Sequence, residues 1–228
     1  MARTDTLSNF LTDIAIAIRK KTNTTATIKA ANFDEEIAKI GPMISYYDNI
    51  NSIQIMGQTI NEEKIHIVLP KNISSFSFQS IKGVKELEVE SSGFITSLDR
   101  GFYNNLNIEK ITLIGSLEKC SNLKQAFATC QRLQYILGTP LDCSNVTNFS
   151  NTFSNAQSLV EIRFTPNTIK GSLSFSNSPL LSNESINSII NGLDALNTSP
   201  TLTLHSSIKN SLTNEQLNTI SSKGWNIL

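Results

Sequence analysis

Apolar residues recur in a fixed frame along the middle of the chain. In Ile95-Thr96-Ser97-Leu98, Cys120-Ser121-Asn122-Leu123 and Val146-Thr147-Asn148-Phe149 two apolar positions stand three apart, and a phenylalanine follows four residues on, at Phe102, Phe127 and Phe153. A second apolar pair begins six residues later, at Ile108 and Ile111, Leu133 and Ile136, and Leu159 and Ile162. The copies are offset by about 25 residues, and an earlier half copy supplies Val84 and Leu87. A unit this short cannot close a core alone, but stacked units bury their anchors in one continuous column. Lys85-Glu86-Leu87-Glu88-Val89, Lys110-Ile111-Thr112-Leu113 and Glu161-Ile162-Arg163-Phe164 alternate polar with apolar residues, the period of a short strand with one buried face. One strand per copy, each returning through a Phe-bearing segment, predicts parallel stacking. The core positions selected by this frame are Leu87, Leu98, Phe102, Ile111, Leu123, Phe127, Ile136, Phe149, Phe153 and Ile162. Gly138-Thr139-Pro140 interrupts one of the strands.

The flanks carry other periods. Leu7, Phe10, Leu11, Ile14 and Ile18 follow the helical template over residues 6 to 21, and Arg19-Lys20-Lys21 complements the negative end of that helix. A second helix starts at Asn32, an N-cap with Glu35 three residues on, buries Phe33, Ile37 and Ile40, and stops at Gly41-Pro42. Ile16 lies half a turn from the first stripe. It is either a docking position or a single exposed isoleucine that needs no explanation. Ser52 to Met56, Lys64 to Leu69 and Ser74 to Phe78 alternate as strands and are expected to form one small sheet over the first copy. Beyond Phe164 the frame lapses and caps take over. Leu181 and Ile186 staple an N-cap at Ser182, and Ile186, Ile189, Ile190 and Leu193 form one helix face. Thr201 to Leu204 reads as a strand, Thr213 and Gln216 as a capping box, and Gly224 as a helix stop. The expected organisation is an α/β chain with a helical hairpin at 1–41, a small β cap at 42–82, the stacked copies at 83–181 and a helical C-terminal cap at 182–228.

The segments Cys120-Ser-Asn-Leu, Ala126-Phe-Ala-Thr-Cys-Gln-Arg-Leu-Gln-Tyr-Ile136 and Asn145-Val-Thr-Asn-Phe-Ser-Asn-Thr-Phe to Ile162 resemble irregular leucine-rich repeats of the bacterial surface protein A type. The resemblance covers residues 83 to 165. Leu7 to Thr22, Ile28-Lys29-Ala30 and Asn32 to Ile40 resemble an N-terminal module of bacteriophage tail-associated and minor structural proteins, with Asn23 where a glycine is common. The ending Leu212-Thr-Asn-Glu-Gln-Leu with Lys223-Gly-Trp225 is similar to the C-termini of phage repeat proteins. These resemblances imply a short leucine-rich-repeat solenoid in a virion structural protein of the tail or baseplate. They imply docking through Leu7, Phe10, Leu11, Ile14, Ile16, Ile18, Phe33 and Ile37. The implied partners are other virion proteins in a symmetric assembly, and a host cell-surface protein or glycan. Capsid decoration and a bacterial surface adhesin are the alternatives.

Composition narrows the picture. Nineteen basic and nineteen acidic residues cancel, which removes the electrostatic footprint of a nucleic-acid or anionic-membrane binder and favours association. Charged residues make up only 17%, so Asn, Ser and Thr supply the polarity. Cys120, Cys130 and Cys143 form no Cys-x-x-Cys pair and fit as small core residues in a protein folded in a reducing host cytoplasm. The longest apolar run, Ile14 to Ile18, is too short for a signal-peptide core or a membrane span, so neither export nor membrane insertion is expected. No nucleophile elbow, phosphate loop or zinc-protease motif occurs. His66 and His205 are the only histidines, His66 should face solvent, and Glu35/Glu36, Glu62/Glu63 and Glu86/Glu88 read as solvated pairs. The expectation is a non-enzymatic protein without cofactor or metal. A glycan hydrolase, the competing class, would need an acid pair in a cleft.

Overall fold

The computed structural model describes residues 52–228. The helices expected within 1–41, with Leu7, Phe10, Leu11, Ile14, Ile16, Ile18, Phe33 and Ile37, lie outside the described residues. The described chain is mixed α/β, with strands in small sheets and three helices.

Alternating sequence gives β1 (Ser52–Met56), β2 (Lys64–Leu69), β3 (Ser75–Gln79), β4 (Glu86–Phe94), β5 (Lys110–Ser116) and β6 (Tyr135–Gly138). Shorter strands follow at β7 (Leu173–Phe175), β8 (Thr201–Leu204) and β9 (Asn226–Ile227). Sheet orders are β1-β3, β2-β4-β5-β6 and β7-β8-β9, and every strand pair among the described residues is parallel.

Two expectations are corrected. The first three strands do not make one small sheet. Ser52 pairs with Ser75 and Lys64 with Glu86, so β1 and β2 each join the strand one step further along, in different sheets. Parallel partners need a crossover, and here the crossovers of β1 and β2 each contain a strand of the other sheet. The second correction concerns Glu161 to Phe164, which makes only isolated bridges, Tyr135 with Glu161 and Leu141 with Phe164. The next layer on that side is a helix, α1 (Asn183–Gly192), and its hydroxyls replace a strand. Ile162 N–H donates to Ser185 Oγ at 3.0 Å, Ser185 Oγ donates to the Val160 carbonyl at 3.0 Å, and Phe164 N–H donates to Ser188 Oγ at 2.9 Å. The sheet edge is thereby covered rather than left open.

Opposite the strands, the Phe-bearing segments stack. Phe102, Phe127 and Phe153 lie with ring centroids 5.4 and 5.5 Å apart and interplanar angles of 11° and 1°. Phe175 continues the column beyond the expected frame at 4.6 Å from Phe153, and Phe78 begins it at 6.4 Å from Phe102. Each central turn has positive φ two residues before and two after its phenylalanine: Arg100 and Asn104, Gln125 and Thr129, Asn151 and Asn155. Three residues past the ring, Asn105, Cys130 and Ser178 are fully buried and reach back to the preceding segment's backbone. Asn105 donates to the Phe78 carbonyl at 2.6 Å, Cys130 Sγ to that of Phe102 at 2.9 Å and Ser178 Oγ to that of Ala156 at 3.0 Å. The ten core positions Leu87, Leu98, Phe102, Ile111, Leu123, Phe127, Ile136, Phe149, Phe153 and Ile162 are all buried, Phe149 being the most accessible at 8%.

The C-terminal end is held by caps. Ser182 caps α1, and the Thr213–Gln216 capping box opens α3 (Asn214–Ser222), which follows the short α2 (Ser206–Ser211). Lys223 Nζ donates to the carbonyls of Ile190, Asn191 and Leu193, meeting the negative end of α1. Gly224 has φ +80°, and a Cβ there would collide with the Leu196 carbonyl, so only glycine turns the chain from α3 into β9.

Candidate contact surfaces

The outward side chains of β2, β4, β5 and β6 form one solvent-facing surface, because strand alternation sends every second residue away from the core. Lys64, Glu86, Lys110 and Tyr135 lie in one register row, which Glu161 extends by its bridge. Glu86 lies 2.6 Å from Lys110 and 3.5 Å from Lys64, and the Lys110 hydrogen bond holds its carboxyl below the ordinary range. His66 Nε2 stands 3.4 Å from Glu88 and 3.3 Å from Glu90. In the next row Val68 and Ile114 are 57% and 41% exposed on either side of Glu90. Glu86 is thus matched by lysines on both sides, whereas Glu88 and Glu90 share His66. Exposed pairs of this kind contribute about 0–1 kcal/mol each, so they set register more than stability. Among the described residues no group of three His, Cys, Asp or Glu side chains is arranged to hold a metal ion.

A second surface follows the turns and is built from hydroxyls and amides. Ser75, Ser97, Asn122 and Asn148 form successive parallel bridges. Ser97 Oγ, Asn122 Oδ1 and Asn148 Oδ1 each accept the N–H two residues on, from Asp99, Lys124 and Ser150, at 3.2, 2.9 and 3.0 Å. Beside them the hydroxyls of Thr96, Ser121 and Thr147 donate to carbonyls of the preceding segment, Ser74, Thr96 and Ser121. This row ends at Asn148. The step from Phe153 to Phe175 is 22 residues, against 25 and 26 for the two preceding steps, and the shorter segment does not carry the bridging on.

An open groove of about 370 Å³ lies at that break. Thr147 to Asn151 form one wall, Gly171 to Ser174 with Thr201 and Thr203 form the other, and no lining residue is charged. Its donors follow from the register. Leu98 and Leu123 N–H donate to the carbonyls of Asn122 and Asn148, and Arg100 and Gln125 N–H to those of Lys124 and Ser150. Phe149 and Asn151 occupy the same two places in the last turn, and neither N–H has a protein acceptor among the described residues. The groove closes where the Phe149 ring meets Gly171, at which any Cβ would press on the ring at 3.2 Å.

The three cysteines are free and buried in the interior beneath these surfaces. Burial pushes the Cys130 thiol up to about 12 and raises Cys120 and Cys143 as well. The groove was not singled out by sequence reasoning. Its only signal there is the richness in Ser, Thr and Asn, which is spread along the whole chain.

No helix among the described residues is long and apolar enough to cross a membrane. No protein-family model matches the chain, and neither a curated protein nor a solved structure matches it.

Proposed function

We propose that this protein is a non-enzymatic bacteriophage structural protein, attached to the virion through helices within residues 1–41. Its stacked segments form a short leucine-rich-repeat solenoid that presents a surface to host or virion proteins, with a tail or baseplate position. The observation that carries the reading is the combination of a phenylalanine column recurring at 24 to 26 residues from Phe78 to Phe153 with parallel strands in matching register. That is how units unable to close a core alone bury their anchors. Many copies on one particle would convert weak single contacts into avidity.

Immunogold labelling of purified particles from a producing strain tests the assignment. Label at the tail tip is the expected result. Label over the head would replace it with capsid decoration, and protein present in the lysate with no particle labelled would overturn the virion reading. Particles made with a chain lacking residues 1–41 should lose the label; unchanged incorporation would remove the docking role of that segment.

A further inference from the structure

We propose that the groove between the 147–151 turn and the β7–β8 edge binds a neutral saccharide. The inference rests on the reading of the stacked segments as a contact surface and gives that surface a ligand class. The groove's volume of about 370 Å³ lies toward the small end of ligand clefts, about 300–1,000 Å³, and suits a short oligosaccharide rather than a folded epitope.

Three features select the chemistry. The lining holds no acidic or basic side chain, so nothing offsets the charge of an anionic or cationic ligand. Ser150, Asn151, Thr201 and Thr203 supply hydroxyl and amide groups that both donate and accept, which matches the mixed donor and acceptor character of sugar hydroxyls. The N–H groups of Phe149 and Asn151 are donors left without a protein acceptor where the ladder stops, and are available to ligand oxygens. Phe149 closes one end of the groove against Gly171.

An extended peptide is the rival occupant, because two donors spaced two residues apart also match a strand's carbonyls. The pinch between Gly171 and Phe149 argues against it, since a strand would have to run through that contact.

The test uses the full chain and saturation-transfer NMR with maltotriose, chitotriose, lactose and 3′-sialyllactose as probes. Binding of at least one neutral sugar is expected, with at least tenfold weaker binding in Thr203→Val and Asn151→Gly. Thr203→Val preserves shape and strand propensity, and Asn151→Gly suits the positive φ of 56° at that position. Unchanged urea midpoints in both variants establish that the fold survives. No binding of any neutral probe, binding insensitive to both variants, preference for sialyllactose over lactose, or displacement of the sugar by a Ser-Thr-Ser-Thr peptide would each overturn the proposal. The outcome is separable from the virion assignment: sugar binding can fail while residues 1–41 still direct incorporation, and the reverse.

Discussion

Phe127 is the central ring of the column, and its removal measures what the stacking contributes. The ring is 0% exposed and lies between Phe102 and Phe153 at 5.4 and 5.5 Å, nearly parallel to both. Phe127→Ala deletes a fully buried ring with no solvent path to fill the void, a change that costs about 3–5 kcal/mol. Phe127→Leu keeps most of the buried apolar volume but abolishes two stacked pairs, each worth about 0.5–1.5 kcal/mol, so about 1–3 kcal/mol is expected. The control is Phe94→Ala. Phe94 is 46% exposed and holds a single cation–π contact, with Lys119 Nζ 3.8 Å from the ring centroid, so its loss should cost about 1 kcal/mol or less. Urea unfolding followed by far-UV circular dichroism and by Trp225 fluorescence provides the assay. Trp225 is buried in the C-terminal cap, so coincident transitions would show that the column and the cap unfold together. For a chain of this size the alanine variant should lower Tm by about 6–20 °C. A Phe127→Ala cost within 1 kcal/mol of the Phe94→Ala cost would refute the column as a main source of stability.

The remaining predictions concern single groups. Thr129 is β-branched yet has φ +62°, so Thr129→Asn should stabilise the fold by about 1 kcal/mol in the same urea assay, and a loss of stability would assign its side chain another role. Ser185→Ala leaves the Ile162 N–H and the Val160 carbonyl without their shared partner and should cost about 1–3 kcal/mol, with faster hydrogen exchange at Ile162; unchanged exchange would show that α1 does not protect that edge. The buried thiols make stability pH-dependent in one direction. Burial raises Cys130 from 9.0 to about 12, so its contribution is complete below pH 9 and is lost as pH rises toward 12. Each thiol that responds fully should subtract up to about 1.4 kcal/mol per pH unit above pH 9, and Cys130→Ala should flatten the profile; a profile rising above pH 9 would contradict the burial.

How much of this was legible in the sequence depended on the distance over which each feature is determined. The alternation in β4 and β5, the N-caps at Ser182 and Thr213, and the stop at Gly224 are set within a few residues, and they read correctly. The phenylalanine frame was legible for the same reason, as each copy repeats one local pattern. Its outer members were not: Phe78 meets Phe102 edge-on and Phe175 stacks on Phe153, but neither has the apolar pair that precedes each central phenylalanine. What lay beyond local pattern was which neighbour each element would meet. Alternation alone cannot tell that β1 and β2 enter different sheets, since partners 22 or 23 residues away decide the pairing. Nor can it tell that the serines of α1 would serve Ile162 and Phe164 in place of a strand. Asn105 makes one local bond, to the Phe102 carbonyl, but its other hydrogen bonds run to Phe78 and Ile81 in the preceding segment, which no local pattern shows. The groove is the clearest case of all. It exists because one segment is a few residues shorter than its predecessors, and the donors at Phe149 and Asn151 lost their partners only once the segments were stacked. The sequence by itself determined the elements and the spacing of the anchors; tertiary packing alone decided where the hydrogen-bond ladder would stop and leave a polar groove open.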